Sequence, residues 1–415
     1  MKFEEYRIAE GIKTSISKLG YKKPTDIQFK SIPPILKGED VLAIAQTGTG
    51  KTAAYAIPVL HTLQERKIKG RPDGVKCLVM VPTHELALQT ETVFKTLGKH
   101  TRITAFAIHG GVDQDPQIEQ LNKGVDVLIA TPGRMFDLVS QGALNLKRVE
   151  ILVLDEADHM LDLGFIKDIR DLMQHLPRKR QTLFFSATID EKIKKIAYSL
   201  VTNPIRIQIS PKDPVAKNIE HAVASIEMDD KRFFLERIIK DNPDQKILVF
   251  VRTRVRAERV KKAMERVGVI SNAIHSDKLQ QEREQIMQDF RTGTLKVLIA
   301  TDVSARGIDV PDVEYVINYD LPESPEHYVH RVGRTGRGTR KGQAISFCSE
   351  EEKEQLLQIE NQLGKPIQRL TISRSDYSQT IESSNEEEAD DWQSLLDQEE
   401  AFIKGKKKKK KRPKK

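Results

Sequence analysis

Short apolar segments recur along the chain, and each is followed by a polar segment with helix-like sequence. The apolar segments are 41–45, 75–81, 103–108, 125–130, 151–154 and 182–185, and then 247–251, 297–300, 313–317 and 344–347. Apolar residues fill successive positions in Ile151-Leu152-Val153-Leu154, which is typical of a strand buried on both faces of a parallel sheet. The alternation of strand and helix predicts an α/β fold with two doubly wound parallel sheets.

The segment Ser210-Pro211-Lys212-Asp213-Pro214 separates the two series of strands and has two prolines and no apolar pattern. We therefore expect an interdomain linker at residues 210–219. The predicted domains are residues 1–209 and 220–370. Residues 371–415 form a third region that we expect to be disordered, because it becomes acidic and then Lys-rich and cannot bury a core.

Composition limits the classes of protein that the chain can belong to. Of its 415 residues, 38% are hydrophobic and 31% are charged, and no apolar run approaches the roughly 18 residues of a membrane span. Two cysteines are too few for a disulfide framework or a Cys-rich zinc site. The first residues include acids and lack the apolar core of a secretory signal, so we expect a cytoplasmic protein.

The basic character of the chain resides in its C-terminal end. The formal net charge is +8, and residues 404–415 alone carry ten positive charges, so residues 1–403 have a net charge of −2. Nine acidic residues lie within 382–400, before this lysine run. A flexible polycation of this kind favours tethering of a nucleic acid, although a solvated segment without a partner is the alternative.

A glycine-rich segment directly follows the strand at 41–45 and precedes an apolar helical segment. It reads Ala45-Gln46-Thr47-Gly48-Thr49-Gly50-Lys51-Thr52. Glycines let successive backbone N–H groups face phosphate oxygens, Lys51 can reach the β/γ-phosphates, and Thr52 can offer its hydroxyl to Mg²⁺. The segment therefore predicts a nucleotide-phosphate site, although Ala45 stands where the strict pattern has glycine.

Acidic residues follow the buried strand at 151–154 in the tetrapeptide Asp155-Glu156-Ala157-Asp158. This places carboxylates at the carboxyl edge of the sheet, where open α/β folds bind ligands. Asp155 would hold Mg²⁺ largely through water, and Glu156 would orient or deprotonate the attacking water.

With these two segments in place, the sequence resembles the DEAD-box family of RNA helicases over about 370 of its 415 residues. The resemblance implies two tandem RecA-like domains, and the compact core with a short basic tail is most similar to the bacterial RhlE-type subgroup. The segment from Gly20 to Gln28, which includes Tyr21, resembles the family's Q motif, with Phe3 at the expected upstream position. By that resemblance Gln28 reads the adenine edge and Phe3 stacks on its ring, giving preference for ATP.

Further segments resemble family motifs that couple nucleotide to domain closure. Ser186-Ala187-Thr188 is similar to motif III, whose hydroxyls would bond Asp158. The segment 330–337 resembles motif VI, where the resemblance implies that Arg334 and Arg337 engage the γ-phosphate and that His330 links to motif III. The segment 300–309 resembles motif V, in which Asp309 approaches the ribose.

The resemblance also implies a path for RNA along both domains. Glycines, threonines and arginines suit a phosphate track, because backbone and hydroxyl groups contact a sugar–phosphate chain without reading bases. The implied contacts are Pro82, Thr83, His84, Gly110, Gly111, Thr131 and Arg134 in the first domain, and Arg283 and Thr301 in the second. His84 departs from the family's usual arginine, which predicts the loss of a charge-assisted bond worth about 1 kcal/mol.

Taken together, these motifs predict an ATP- and Mg²⁺-dependent RNA helicase that unwinds short duplexes locally or remodels RNA–protein complexes, in ribosome assembly or RNA decay. We expect a monomer, since residues 1–370 show no heptad seam. Two alternatives from other classes stay open: an ATP-gated RNA clamp that serves as a platform for partner proteins, and a DNA helicase or translocase of the same superfamily.

Overall fold

The computed structural model describes residues 2–46, 48–67, 74–189, 191–209, 215, 218–302, 313–336 and 341–383. The chain divides into two compact units between residues 214 and 215, here called domain 1 and domain 2. The boundaries 210 and 219 of the linker stay a prediction, although the first strand of domain 2 already begins at Ile219. None of the described helices is long and apolar enough to cross a membrane.

Domain 1 contains a seven-stranded sheet with helices between successive strands. Its strands are β1 (Val41–Ala45), β2 (Cys77–Met80), β3 (Ala105–Ile108), β4 (Val127–Ala130), β5 (Ile151–Leu154), β6 (Gln181–Ser186) and β7 (Ile205–Ile209). Its helices are α1 (Glu10–Lys18), α2 (Asp26–Leu36), α3 (Lys51–Arg66), α4 (His84–Leu97), α5 (Asp115–Lys123), α6 (Pro132–Ser140), α7 (Ala157–Asp162), α8 (Ile166–His175) and α9 (Glu191–Leu200), after a 3₁₀ turn at Phe3–Glu5.

Domain 2 repeats this plan. Its strands are β8 (Ile219–Ser225), β9 (Ile247–Phe250), β10 (Ser271–Ile274), β11 (Val297–Ala300), β12 (Tyr315–Asn318), β13 (Gly342–Cys348) and β14 (Gln368–Leu370). Its described helices are α10 (Lys231–Asp241), α11 (Arg254–Arg266), α12 (Gln280–Thr292), α13 (Pro325–Val332), α14 (Lys353–Leu363) and α15 (374–383), with a 3₁₀ turn at Glu350–Glu352.

The two sheets have the same strand order. It is β3-β4-β2-β5-β6-β1-β7 in domain 1 and β10-β11-β9-β12-β13-β8-β14 in domain 2, so the second order is the first with each number raised by seven. The recorded pairings between neighbouring strands are parallel in both sheets. This confirms the predicted α/β class with two doubly wound parallel sheets.

The apolar runs form strands because both faces of each sheet are covered. In β1, Val41, Ala43 and Ala45 join one core cluster of domain 1, whereas Leu42 and Ile44 join the cluster on the opposite face. All five residues of β1 are buried. A strand buried on both faces leaves only its ends open to solvent, so polar chemistry is confined to the edges of the sheet.

Four strands were absent from the sequence prediction. Three of them are edge strands: β7 and β14 are largely exposed, and β10 reads Ser-Asn-Ala-Ile. The fourth, β8, has exposed polar residues between apolar ones and begins inside the predicted linker. An apolar-run criterion misses these strands because an edge or half-covered strand needs few consecutive apolar residues.

The expectation that disorder begins at residue 371 is wrong for residues 371–383. Helix α15 packs on domain 2: the Tyr377 ring centroid lies 4.9 Å from that of Phe234, and the Tyr377 hydroxyl donates to Asp230 at 2.8 Å. Arg237 donates to the Thr380 hydroxyl at 2.7 Å. The sequence prediction averaged the composition over the whole region, which hid these few anchoring side chains. The acidic and Lys-rich part, 384–415, lies outside the described residues.

Candidate nucleotide and RNA site

The phosphate-binding segment connects β1 to α3 at the carboxyl edge of the domain 1 sheet. Gly48 and Gly50 have φ of +80° and +90°, which side chains other than glycine rarely adopt. A Cβ on Gly50 would also lie 2.5 Å from Nε2 of Gln28. Both glycines are therefore required by the turn that presents the first N–H groups of α3. Thr47 lies outside the described residues.

Lys51 is the first residue of α3, and its side chain is buried. It is 6% exposed, and its Nζ atom has no hydrogen-bond partner among the described residues. Although the charge of Asp155 acts on Lys51, a buried ammonium that forms no hydrogen bond is costly and favours an anionic ligand. The loop, the helix N-terminus and this ammonium together fit a nucleotide phosphate.

Gln28 supports the phosphate-binding segment from the side of α2. Its Oε1 accepts from the Thr25 N–H at 3.0 Å, and its Nε2 donates to the Gly50 carbonyl at 3.2 Å. Nearby, Phe3 is buried in the core and Tyr21 is 49% exposed. The structure thus shows Gln28 bracing the loop, and adenine reading by Gln28, Phe3 and Tyr21 stays a prediction.

Asp155 ends β5 and is held on both carboxylate oxygens. Oδ2 accepts from the Tyr55 hydroxyl at 2.7 Å, and Oδ1 accepts from the Glu156 N–H at 2.9 Å. Burial raises the pKa of Asp155 to about 6. The charge of Glu156 also raises this pKa, whereas the charge of Lys51 and the hydrogen bond from Tyr55 lower it. A buried carboxylate beside Lys51 fits a cation such as Mg²⁺, and Thr52, the second residue of α3, carries a hydroxyl at the same end of the helix.

Glu156 has a strained backbone. Its φ and ψ are both 49°, the left-handed region, which costs a residue other than glycine about 1 kcal/mol or more. Such outliers cluster at functional sites, because the surrounding structure must hold them. Oε2 of Glu156 lies 3.6 Å from Nδ1 of His159.

The carboxylate of Asp158 connects the DEAD segment to the end of β6. Its Oδ2 accepts from the Ala187 and Thr188 N–H groups, each at 3.1 Å, and from the Thr188 hydroxyl at 3.3 Å. Ser186 does not form the predicted bond to Asp158, because its hydroxyl is buried within the sheet and has no partner among the described residues.

The residues predicted to contact RNA in domain 1 follow β2, β3 and β4 at the same edge. Thr83 caps α4, and the His84 ring centroid lies 5.1 Å from that of His109, which precedes Gly110. Arg134 donates to the Val112 carbonyl at 2.7 Å and so braces the Gly110-Gly111 loop. Pro82 and Thr131 are buried at the ends of β2 and β4. The topology therefore brings the domain 1 set together on one sheet edge.

In domain 2 the predicted residues lie on α12, after β11 and around the end of α13. Thr301 follows β11 and Arg283 lies on α12. Arg334 is 6% exposed, and its Nε donates to the His330 carbonyl at 3.2 Å. Arg337 and Asp309 lie outside the described residues.

Two family models match the chain. The model described as "DEAD/DEAH box helicase" matches residues 25–196, and the "Helicase conserved C-terminal domain" matches residues 230–339. The ATP-dependent RNA helicase CshA of Listeria monocytogenes is 39% identical over 371 residues, covering 89% of this chain and 70% of that protein. The chain belongs to the DEAD-box RNA helicase family.

Other relatives and solved structures agree with this assignment. The DEAD-box ATP-dependent RNA helicase CshA of Bacillus thuringiensis is 36% identical, covering 96% of this chain and 74% of that protein. The structure of S. cerevisiae Dbp5 bound to RNA and ADP BeF3 has a TM-score of 0.80 at 30% identity, covering 93% of this chain and 99% of that one. DEAD-box helicase Mss116 bound to ssRNA and UDP-BeF has a TM-score of 0.80 at 26% identity, covering 97% and 86% of the two chains.

The RhlE-type subgroup prediction is not supported. Both bacterial relatives described above are named CshA. The prediction relied on a compact core and a short basic tail, and tail length and composition do not identify a subgroup within a family that shares its core.

The sequence analysis missed two residues that contact the candidate site or its motif segments. Tyr55, on the buried side of α3, donates to Asp155. Arg331 forms a two-pronged ion pair with Asp302 at 2.6 and 2.7 Å and donates to the Asp320 carbonyl. A carboxylate of domain 2 therefore neutralises one arginine of motif VI. The spacing of Tyr55 four residues after Lys51 was the available signal for an inward-facing hydroxyl.

We predict that Asp155→Asn stabilises the protein free of nucleotide and Mg²⁺. The pKa of Asp155 is raised in the folded state, so the folded state binds its proton more tightly, and stability falls as pH rises through about 6. At about pH 7.5 the substitution should raise the free energy of unfolding by about 1–3 kcal/mol, and near pH 4 the gain should disappear.

Thermal unfolding in EDTA across this pH range measures the effect, with the exposed Asp244→Asn as the control. A gain that is the same at both ends of the range, or a loss near neutral pH, would contradict the assigned burial of a charged Asp155.

Proposed function

We propose that this protein is an RNA-dependent ATPase that uses ATP to separate short RNA duplexes or remodel RNA–protein complexes. The observation that carries the proposal is the group at one sheet edge: the unpartnered buried Lys51, the doubly held Asp155 and the strained Glu156. The names of the relatives, which include ATP-dependent RNA helicase, support it.

In this proposal each side chain of the site has a separate role in ATP hydrolysis. Lys51 and the N–H groups of α3 bind the β- and γ-phosphates, and Thr52 and Asp155 hold Mg²⁺ largely through water. Glu156 accepts a proton from, or orients, the attacking water. Arg334 and Arg337 stabilise the charge that develops on the γ-phosphate. When bound, Mg²⁺ neutralises charge on the phosphate oxygens.

The Asp158 contacts support a coupling role for motif III. A carboxylate two residues after Glu156 holds two backbone N–H groups and one hydroxyl of 187–188, so a shift of the DEAD segment must move the end of β6. We propose that nucleotide binding is transmitted along this connection, with His330 as a further member. ATP then acts as a ligand with higher affinity for the RNA-bound conformation.

RNA binding in the proposal is independent of base sequence. The predicted contacts are backbone groups, hydroxyls and arginines along one sheet edge in each domain, which suit phosphates and sugars. Such contacts suit an enzyme that acts locally on varied RNAs, and we propose non-processive action in ribosome assembly or RNA decay, by a monomer in the cytoplasm.

We predict that RNA, but not matched single-stranded DNA, stimulates ATP hydrolysis, and that Glu156→Gln abolishes turnover. The substitution removes the carboxylate but preserves shape, so ATP-dependent RNA binding should persist while the rate falls by about 10² or more. The control is Glu119→Gln on an exposed turn of α5.

Each rival function predicts a different result of the same assay. Equal stimulation by DNA would favour a DNA translocase. Tight ATP-dependent RNA binding with negligible turnover of the unmodified chain would favour the clamp.

We predict that His84→Arg lowers the RNA concentration for half-maximal ATPase activity by several fold, most strongly above about pH 7. Arginine stays charged at every pH in this range, whereas histidine loses its charge. The measurement is a titration with single-stranded RNA at about pH 6 and pH 8. A ratio between the two proteins that does not change with pH would contradict a phosphate contact at this position.

We predict that a chain ending at Ser383 binds RNA more weakly, with a flatter salt dependence and unchanged ATP affinity. Ending there retains α15 and its contacts through Tyr377 and Thr380, so domain 2 keeps its packing. A second variant, the full chain with the lysines of 404–415 replaced by glutamine, retains the length of the tail but removes most of its charge and should show the same change. An unchanged salt slope in both proteins would refute tethering by the tail.

A further inference from the structure

Helix α11 of domain 2 carries an excess of positive charge. Its thirteen residues include six basic and two acidic side chains. Three of the basic residues form ion pairs: Arg254 with Asp277 at 2.6 Å, Arg256 with Asp320 at 2.9 Å, and Lys261 with Glu265 at 3.4 Å. The excess therefore resides in the other three, Arg259, Lys262 and Arg266.

These three residues, here called the α11 stripe, lie on one exposed face of the helix. Their spacing of three and then four residues places them on one side at 100° per residue, and all three are exposed. No ion pair or hydrogen bond reaches any of them from the described part of the chain. Cations so arranged on a body whose net charge is −2 form a local positive surface.

A cavity of about 370 Å³ lies beside the stripe, between α11 and the segment after β10. Arg259, Lys262 and His275 are among its lining residues. His275 is 6% exposed; its Nε2 contacts Glu258 at 2.8 Å, and its Nδ1 is buried with no partner among the described residues.

The acids near this cavity are already engaged. Glu258 contacts both His275 and Lys278, and Asp277 contacts Arg254. The groups of the cavity that remain to be satisfied are therefore two cations and an imidazole nitrogen. A ligand that offers successive anionic oxygens fits this set.

The fold connects the stripe to the predicted RNA edge of domain 2. Thr253 caps α11 directly after β9, and β9 pairs with β11, whose end is followed by Thr301. Helix α11 runs back from that edge, and its eight residues from 259 to 266 span roughly 10 Å. This length allows contact with more than one nucleotide of an RNA strand.

We propose that the α11 stripe binds the sugar–phosphate backbone of RNA that extends beyond the core motifs of domain 2. This inference rests on the proposed RNA-dependent activity and assigns to it a longer footprint. The acidic segment 386–400 of the same chain is the competing occupant. It is disfavoured because the lysine run that begins at residue 406 lies next to it in sequence and provides a closer counter-charge.

The test compares the triple variant Arg259→Gln, Lys262→Gln, Arg266→Gln with a control triple variant, Lys99→Gln, Lys123→Gln, Lys147→Gln. The control removes the same charge from exposed positions that precede β3, β4 and β5, at the opposite edge of domain 1. RNA affinity is measured by fluorescence anisotropy with oligouridines of about 6 and about 20 nucleotides across a salt series. Thermal unfolding checks that both variants fold.

For the stripe variant we expect the Kd for the long RNA to rise about tenfold at about 0.1 M salt. The slope of log Kd against log salt concentration should fall by about 2, because three phosphate contacts of about 0.7 each are lost. The Kd for the short RNA and the maximal ATPase rate should stay unchanged. The control should match the unmodified chain. As a second variant, the single substitution Arg259→Glu should also weaken long-RNA binding selectively.

Two outcomes would overturn the inference. One is a stripe variant that binds long RNA as the control does. The other is a stripe variant that binds long RNA more tightly, which would assign the stripe to the acidic segment. If neither RNA stimulates the ATPase activity of the unmodified chain, the proposed function itself is contradicted. If RNA does stimulate it and either outcome above is found, only the assignment of RNA binding to the α11 stripe is contradicted.

Discussion

Burial of both faces of a parallel sheet is the constraint on which the rest of this structure depends. Strands such as β1 and β5 have no exposed face, so a polar side chain can function only where a strand ends. The parallel direction then brings the ends of β1, β5 and β6 to one edge, together with those of β2, β3 and β4. The residues predicted to bind nucleotide and RNA in domain 1 share that edge because the topology leaves no other place for them.

The edge is organised at a cost in stability. Lys51 is buried without a partner, Asp155 is desolvated enough to raise its pKa to about 6, and Glu156 holds a left-handed backbone. Each feature is unfavourable in the protein alone; a phosphate would satisfy the Lys51 ammonium, and a divalent cation would stabilise the charged form of Asp155. A site with such groups favours the ligand geometry that satisfies them. A nucleotide that binds one conformation more tightly than another can then drive a conformational cycle.

Much of this arrangement could be predicted from the sequence, and what could not be predicted has physical reasons. The buried strands β1, β5 and β11 have their predicted limits, because continuous apolar runs identify them. Edge strands β7 and β14 carry no such pattern. The Tyr55–Asp155 and Arg331–Asp302 contacts join residues that are distant or unremarkable in sequence, so only the folded chain reveals them. Helix α15 was missed because a few anchors, chiefly Tyr377, fix an otherwise polar segment.

The central claim is that bound ATP raises the affinity of the protein for RNA, and that bound RNA raises its affinity for ATP. The most direct test is RNA affinity measured with no nucleotide, with ADP, and with an ADP–beryllium fluoride mimic of the ATP state, together with the reciprocal titration of a fluorescent nucleotide. The account predicts RNA binding that is about 10-fold or more tighter with the ATP mimic than with ADP, and an equal factor in the reciprocal titration. Equal RNA affinity in all three states would contradict it.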